Sequence, residues 1–302
     1  MKISIKYLEI EKIFLPLRCT NELIHYKDMI TVKDLSFSYG SKGVLKNINM
    51  ELKGGNIYGL LGENGVGKTT LLTLLCGLKK PQTGSIITDG RAPFDRQPSL
   101  LAEQFYLPDE VSPMPYKALD FGKETGVHWP QFDFNKYLTL LQEFEVDATQ
   151  RMDSMSSGQL KKTWIAFALA CNARHYFMDE PTNGLDIPSK SQFRKAIMKY
   201  TSDESAIVIS THQVRDLEEI IDPIIILDKK DVLLNASLQT ITEKLFFDYG
   251  SQLHPEALYL ENTPSGAIQV YPNTTGEDSK INIEALFNAV HAHKDVVKAL
   301  FK

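Results

Sequence analysis

The sequence predicts an α/β fold with a parallel β-sheet, and two features of the chain support this prediction. Between Asn56 and Leu227, short apolar runs typical of buried strands alternate with segments whose apolar residues have helical spacing. A glycine-rich segment, Gly62–Thr69, lies between the first of these runs and the first such helix, Thr69–Leu78. Strands that alternate with helices are typical of a parallel sheet, because each helix carries the chain back across the sheet.

The N-terminal part of the chain is predicted to be rich in strands. Residues 30–60 alternate between apolar and polar side chains as strands do. Glycines that supply turns separate these runs: Gly40, Gly43, Gly54 and Gly55. A domain start is expected at Met29. Residues 1–28 are predicted to be an extension, either an added strand or a poorly ordered arm.

The middle of the chain changes character because prolines interrupt it repeatedly. Within this stretch, Asn135–Phe144 has the apolar spacing of a helix, and Gln159–Ala173 is predicted to form a second helix. The segment is therefore predicted to be an inserted, mainly helical region of about residues 95–172. Beyond it, a helix is predicted near Ser189–Tyr200, and strands are predicted at His175–Met178, Ala206–Ser210 and Asp222–Leu227.

The C-terminal residues are predicted to form a smaller unit of mixed helices and strands. Its predicted elements are a helix near Leu238–Phe246, strands near Ala257–Leu260 and Ala267–Tyr271, and a closing helix near Asn282–Leu300. The chain is thus divided into an extension (1–28), a main domain (29–235) that holds the inserted region, and a C-terminal accessory region (236–302).

Composition places the chain among ordinary globular proteins and disfavours several classes. Of its 302 residues, 43% are hydrophobic and 24% are charged, which is enough for a large core. A net charge of −5 gives no general attraction to nucleic acid, so no nucleic-acid partner is expected. The three cysteines are far apart, which argues against a disulfide framework or a zinc site. No apolar run is long enough for a membrane span, so another chain is expected to supply one.

The segment Gly62–Thr69 fits the phosphate-loop pattern G-x-x-x-x-G-K-[ST], in which backbone N–H groups and a helix N-terminus bind phosphate. Its residues are Gly62, Glu63, Asn64, Gly65, Val66, Gly67, Lys68 and Thr69. Lys68 is expected to reach the β- and γ-phosphates of a nucleotide, and the Thr69 hydroxyl is expected to bind Mg²⁺. Thr70 is expected to add a hydroxyl toward the α-phosphate. A glycine-rich turn formed by chance is the alternative, which the position between a strand and a helix disfavours.

Two carboxylates follow the apolar strand predicted at His175–Met178. At the end of a parallel strand, Asp179 can hold Mg²⁺, and Glu180 can polarise the water that attacks the γ-phosphate. Acidic residues often end apolar strands, so this pair is informative only together with the phosphate loop. The two features together predict a site that hydrolyses a nucleotide.

A further motif, Met155–Gln159, lies upstream of the acidic pair. Together with Tyr39, the phosphate loop, the acidic pair, Asn183–Asp186 and His212, it resembles the ATP-binding cassette (ABC) ATPases over about residues 30–235. The resemblance implies a P-loop nucleotide-binding core with an antiparallel β-layer, an inserted helical subdomain and a small C-terminal α+β appendage. It also implies ATP and Mg²⁺ as ligands and a head-to-tail dimer of two ATP-binding subunits.

The resemblance implies a role for each motif residue. Tyr39 is expected to stack on adenine, with a half-buried strand tyrosine as the plain alternative. The signature motif is expected to contact ATP held by the opposite subunit. It comprises Ser156, Ser157, Gly158 and Gln159. Asp186 is expected at the dimer seam, and His212 is expected to contact the γ-phosphate.

The sequence departs from the family pattern at two positions. Ser157 stands where the common signature has glycine, and Asp109 stands after Pro108 where the family usually has glutamine. A carboxylate can still bind Mg²⁺, so Asp109 is predicted as a ligand together with Thr69 and Asp179. The amide of glutamine can donate a hydrogen bond, however, whereas an ionised carboxylate cannot.

The favoured function is the ATPase subunit of an export-type membrane transporter, which is peripheral on the inner face of the membrane through separate permease subunits. The export branch rests on His128–Phe134, a stretch that resembles small bacterial exporters. A soluble ABC ATPase in a non-transport complex, such as cofactor assembly, is the alternative. A nucleotide-binding regulator without turnover is disfavoured by Glu180 and His212.

One surface is predicted to contact the permease. The stretch Pro108–Pro130 carries Tyr116, Phe121 and Trp129 among prolines and glycines. These rings are predicted to be exposed and to line part of a groove for a short helix of a membrane subunit. Packing of the rings inside the helical region is the alternative, because aromatic side chains also anchor cores.

Overall fold

The computed structural model describes residues 29–250, 252–264 and 266–301, so the predicted extension (1–28) lies outside the described residues. The strands are β1 (Met29–Tyr39), β2 (Lys42–Lys53), β3 (Asn56–Leu61), β4 (Thr83–Thr88), β5 (Gln104–Leu107), β6 (His175–Asp179), β7 (Ala206–Thr211), β8 (Ile224–Asp228), β9 (Asp231–Ala236), β10 (Leu245–Asp248), β11 (Tyr259–Thr263) and β12 (Gly266–Pro272). The helices are α1 (Lys68–Leu75), α2 (Pro98–Leu101), α3 (Ala118–Gly126), α4 (Phe134–Glu143), α5 (Ser157–Ala170), α6 (Ile187–Tyr200), α7 (Leu238–Lys244), α8 (Ile283–Ala292) and α9 (Lys294–Leu300). None of the helices in these ranges is long and apolar enough to cross a membrane.

The central sheet has six strands in the order β5-β6-β7-β3-β8-β9. The first five run parallel, and β9 pairs antiparallel with β8 at the edge. Strands β6, β7 and β8 are buried along their whole length, which explains their continuous apolar sequences. The predicted α/β fold with a parallel sheet is confirmed.

The register of this sheet brings three strand ends together. Asp179 at the end of β6 pairs with Ser210 of β7, and Thr211 of β7 pairs with Leu61 at the end of β3. The segments that follow β3, β6 and β7 therefore leave the sheet at one edge. In open α/β sheets, ligands bind at the carboxyl ends of the strands, which is this edge.

A second sheet is antiparallel, with the order β2-β1-β4. Its buried residues Ile30 and Leu35 share an apolar core with Leu72 of α1 and Val208 of the central sheet. This sheet is the antiparallel layer that the family resemblance implies. Strand β4 was not predicted, because its segment has only two adjacent apolar residues and depends on pairing with β1.

The inserted region packs around a cluster of aromatic rings that face α5. Phe121 is fully buried, with its ring centroid 4.7 Å from that of Phe167. Trp129 packs edge-on against Phe167 at 5.6 Å, and its Nε1 atom donates a hydrogen bond to the Gln104 carbonyl at 3.3 Å. The predicted exposure of Phe121 is therefore wrong, and Trp129 belongs to the same cluster. Tyr116 is 43% exposed, whereas Phe121 is buried. The three rings therefore do not line one surface groove.

The C-terminal region forms a three-stranded sheet of order β10-β12-β11 that packs with α7 and α8, while α9 packs against β9 of the central sheet. The helix predicted to reach Phe246 ends at Lys244, and the next residues pair with β12 as a strand. The predicted closing helix breaks at His293, where φ is −129° and ψ is 52°. Val290 of α8 and Ile226 of β8 belong to one apolar core, so this region packs directly on the main domain. The predicted division near residue 235 stays a prediction.

Candidate active site

The phosphate loop connects β3 to α1 and curls around the side chain of Lys68. Gly67 precedes α1 with φ 120°, and a Cβ atom at this position would lie 2.9 Å from Val44 Cγ1. Only glycine meets both conditions without strain. Lys68 is 6% exposed, and its Nζ atom donates to the Gly62 carbonyl at 2.7 Å. The lysine ammonium thus lies inside the loop, where the sequence predicts phosphate.

A cleft of about 430 Å³ opens above this loop and collects most of the predicted site. The predicted site residues that line it are Tyr39, Glu63, Asn64, Gly65, Gly67, Lys68, Thr69, Thr70, Asp109, Asp179, Glu180 and His212. Two loop residues do not line it: Gly62 accepts from Lys68, and Val66 packs against the apolar core below. The cleft therefore combines a phosphate loop, hydroxyl groups and four carboxylates.

The acidic pair is held by the neighbouring strand β7. The Ser210 hydroxyl donates a hydrogen bond to Asp179 Oδ1, and Asp179 is 3% exposed. The backbone N–H of Glu180 donates to the carbonyl and to the hydroxyl oxygen of Ser210, each at 3.1 Å. Ser210 was not predicted as a site residue, because a serine near the end of an apolar strand gives no signal of this contact.

The Glu180 carboxylate lies between two nitrogen groups. Lys68 Nζ is 3.5 Å from Glu180 Oε1, and His212 Nδ1 is 2.9 Å from Glu180 Oε2. The backbone N–H of His212 also points to Oε2, at 3.3 Å. Glu180 has a positive φ of 45° and is 8% exposed. Residues that follow β3 and β7 thus orient the carboxylate of Glu180, which follows β6.

Tyr39 lies at the rim of the cleft, at the end of β1. Its hydroxyl is 3.3 Å from Thr70 Oγ1, and its ring packs edge-on against Phe37 at 5.0 Å. Lys79 Nζ lies 5.2 Å from the ring centroid. The side chain is 48% exposed, so nearly half of it is open to a ligand.

Asp109 enters the cleft from the loop that follows β5. Its Oδ1 atom accepts a hydrogen bond from Asn183 Nδ2 at 3.0 Å and lies 3.7 Å from Lys161 Nζ. Asn183 belongs to a recognised motif but was not predicted as a site residue. Lys161 was not predicted as a site residue, because the sequence does not show which of the two consecutive lysines, Lys161 and Lys162, is buried.

The signature motif lies outside this cleft, at the N-terminus of α5. Ser156 caps the helix: its hydroxyl accepts from the Gln159 N–H at 3.2 Å, and Gln159 Oε1 accepts from the Ser156 N–H at 3.0 Å. Ser156 and Ser157 are exposed. A Cβ atom on Gly158 would lie 3.6 Å from the Gly184 carbonyl, so the motif adjoins the Asn183–Asp186 loop. The structure does not bring the signature to the phosphate loop of its own chain.

Asp186 likewise lies on the surface, where it caps α6. Its Oδ1 atom accepts from the Ser189 N–H at 2.9 Å. Hydrogen bonds from the Ser189 side chain and backbone lower the pKa of this carboxyl. The next residue, Ile187, is 84% exposed, which is unusual for a large apolar side chain. An acidic cap and an apolar side chain therefore project together beside the signature.

Residues 45–183 match the family model described as ABC transporter. The manganese transport system ATP-binding protein MntB of Listeria innocua is 30% identical over 234 residues, which cover 73% of this chain and 96% of MntB. The chain belongs to the ABC transporter family. This ABC protein is an ATP-binding subunit and an ATPase, as its phosphate loop and acidic pair predict.

Other relatives agree with this assignment. The cobalt import ATP-binding protein CbiO of Salmonella typhimurium is 29% identical over 222 residues, which cover 69% of this ABC protein and 81% of CbiO. A solved ATP-binding subunit of an ABC transporter has a TM-score of 0.63 at 25% identity, over 70% of this chain and 91% of that one. The dimeric cassette MJ0796 has a TM-score of 0.62 at 23% identity, over 69% and 98%. The predicted ABC fold and ATP as the ligand are confirmed.

Proposed function

We propose that two copies of this ABC protein form two composite ATP sites and drive a separate membrane permease. One observation carries the dimer: Ser156 and Ser157 of the signature are exposed at the N-terminus of α5, and the signature does not line the cleft of its own phosphate loop. A site that contains both therefore needs a second chain. The MJ0796 cassette, which shares this fold, is dimeric, and this supports a dimer here as well.

Within each site we assign roles from the contacts in the cleft. Lys68 and the loop N–H groups bind the β- and γ-phosphates, and Thr70 contacts the α-phosphate. Tyr39 stacks on adenine with its open side. His212 contacts the γ-phosphate, and the partner copy supplies its signature and the region of Asp186 to the same nucleotide.

The oxygen groups of the cleft fit Mg²⁺. The Thr69 hydroxyl and the carboxylates of Asp179 and Asp109 line it. The described residues contain no group of three or more histidine, cysteine or acidic side chains that would form a complete metal cage. Mg²⁺ is bound in this way by one or two carboxylates together with nucleotide phosphates and water. The ion would neutralise charge that develops on the phosphates.

Hydrolysis requires Glu180 to exchange partners. The Lys68 ammonium is 3.5 Å from the Glu180 carboxylate. A γ-phosphate is a more highly charged partner for Lys68, which leaves Glu180 to accept a proton from water. The water oxygen then bonds to the γ-phosphorus while the bond to the β–γ bridging oxygen breaks. His212 holds the second carboxylate oxygen during this step.

The permease is proposed to be another chain that holds this ABC protein at the inner face of the membrane. The names of MntB and CbiO, a manganese transport and a cobalt import protein, support a transport role over a soluble assembly role. They offer no support for export. The export direction stays a prediction that rests on His128–Phe134, and uptake assays in inverted and right-side-out vesicles distinguish the two directions.

A subunit-mixing experiment tests the composite site. Lys68→Ala and Ser156→Arg chains are each expected to be inactive, and a mixture of the two should regain ATPase activity through one intact site. The matched control mixes Lys68→Ala with the Lys68→Ala/Ser156→Arg double variant, which leaves no intact site. Full activity of Ser156→Arg alone, or equal activity in both mixtures, would refute the two-chain site.

A further inference from the structure

A buried lysine lies two residues beyond the signature motif. Lys161 is on α5 and is only 3% exposed. An ammonium group that is removed from water destabilises a protein unless hydrogen bonds and opposite charge compensate it. Burial lowers the pKa of Lys161, while the carboxylates of Asp109 and Asp179 act in the opposite direction. The groups that contact the ammonium therefore indicate what Lys161 does in this buried position.

Lys161 directs its ammonium group to two consecutive residues of one loop. Its Nζ atom donates to the carbonyl oxygens of Pro108, at 3.3 Å, and Asp109, and lies 3.7 Å from Asp109 Oδ1. The two carbonyl oxygens accept hydrogen bonds, and the carboxylate oxygen adds an ion pair at a longer distance. All three oxygens belong to the loop in which Asp109 departs from the family pattern.

The same helix holds this loop at a second point. Trp164, one turn beyond Lys161 on α5, donates its Nε1–H to the Ser112 carbonyl at 3.1 Å. Residues 108–116 form neither helix nor strand, so they depend on such contacts for their position. On its other side, Asp109 accepts from Asn183 in the loop that leads to Asp186. The Asp109 carboxylate is thus held between α5 and the Asn183–Asp186 loop.

The contact between Lys161 and Asp109 also affects the charge of the nucleotide cleft. The carboxylates of Glu63, Asp109, Asp179 and Glu180 all line the nucleotide cleft, which receives a polyanionic ligand. A glutamine at position 109 would add no charge, whereas an aspartate adds a fourth carboxylate. Lys161, whose side chain is 4% exposed, supplies a compensating positive charge beside Asp109, whose side chain is 40% exposed. Its carbonyl contacts also determine where the carboxylate lies.

From this geometry we infer that Lys161 is a positioning residue for ATP hydrolysis. It holds the Asp109 carboxylate in the cleft from the helix that begins with the signature. A movement of the signature onto the ATP of a partner copy therefore moves Asp109 in the cleft of its own chain. This inference rests on the proposed composite site and adds a connection between the two ATP sites of the dimer.

The test compares two lysines that are both bonded to backbone carbonyls. Lys161→Met should bind ATP like the wild type but lose at least about tenfold in kcat, since a displacement of ~1 Å can cost about 10²-fold. The Mg²⁺ concentration for half-maximal activity should also shift. The control is Lys136→Met: Lys136 donates to the Tyr200 carbonyl and to Asn172 Oδ1 at 2.7 Å, on α4 and away from the cleft. It should change stability without changing the Mg²⁺ dependence.

A double-variant cycle shows whether Lys161 acts through Asp109. In an Asp109→Asn background, Lys161→Met should add little further loss, because the carboxylate that it positions is absent. If Lys161→Met fails to fold, Lys161→Gln replaces it in the same cycle and removes the charge while keeping an N–H donor. Losses that multiply independently, or Lys161 variants that keep wild-type kcat and Mg²⁺ dependence, would overturn the inference. Either result leaves the subunit-mixing test of the proposed function unaffected.

Discussion

The Nδ1 atom of His212 lies 2.9 Å from the Oε2 atom of Glu180, although 32 residues separate them in the chain. The contact forms because β6 and β7 are parallel neighbours, so the residues that follow them leave the sheet side by side. With Lys68 3.5 Å from the other carboxylate oxygen, contacts on both sides define the orientation of Glu180. Its suitability as a general base follows from this geometry.

Glu180→Gln is expected to retain ATP binding and to lower kcat by about 10²–10⁴-fold, the usual contribution of a general base. The amide keeps the size of the side chain but cannot accept the proton of water. Steady-state ATPase assays and equilibrium ATP binding measure the two effects. Glu204→Gln, at the opposite end of β7, is the control and should behave like the wild type. Near-normal turnover by Glu180→Gln would remove Glu180 from the mechanism.

Tyr39→Ala should weaken ATP binding by about 5–150-fold, because a stack of a base on an aromatic ring contributes ~1–3 kcal/mol. Tyr39→Phe keeps the ring and removes only the hydroxyl that lies 3.3 Å from Thr70 Oγ1, so its affinity should stay near that of the wild type. Titration with ATP and with inorganic triphosphate separates the base from the phosphates. If Tyr39→Ala weakened both ligands equally, the ring would not contact adenine.

Phe121→Ala should lower the free energy of unfolding by about 3–5 kcal/mol, as expected for the removal of a fully buried ring. Tyr116→Ala, in the same stretch but 43% exposed, should change it by less than about 0.5 kcal/mol. Urea unfolding followed by tryptophan fluorescence and far-UV circular dichroism measures both variants. If both variants changed the free energy of unfolding by equally small amounts, Phe121 would be exposed, as the sequence alone predicts.

The buried pair of Asp89 and His175 predicts a pH dependence of stability. Burial raises the pKa of Asp89, but the hydrogen bond and charge of His175, 2.8 Å away, together with the Met29 N–H and the Arg91 charge, outweigh burial and leave the pKa lowered. Because the folded pKa is below the unfolded value of ~3.9, the pair stabilises the fold fully above that value. This contribution is lost as the pH falls through the folded pKa.

Asp89→Asn tests that pH dependence. The difference in unfolding free energy between the wild type and the variant should be constant from about pH 5 to 6 and should shrink below ~3.9. Urea unfolding at a series of pH values gives the difference directly. Asp203→Asn, at an exposed position, is the control and should show no such trend. A difference that grows toward low pH would contradict the assigned direction.

The sequence alone determined the fold class and most of the cleft. The phosphate loop between a strand and a helix, and the acidic pair after an apolar strand, are local patterns in which the backbone geometry follows from adjacent residues. The motifs and their order also specified the family. Segments that depend on partners were the ones missed: β4 forms by pairing with β1, and residues 245–248 pair with β12 rather than extending α7.

Only the tertiary structure decided which side chains touch across these elements. Ser210 orients Asp179, Asn183 and Lys161 hold Asp109, and Phe121 turns inward. Each of these contacts joins residues that are distant in sequence, or depends on which face of a helix meets its neighbour. Periodicity shows that a helix has an apolar face, but a single lysine near that face is buried or exposed according to the loop that packs over it. For Lys161 that loop is Pro108–Asp109, which brings three oxygen atoms to its ammonium group.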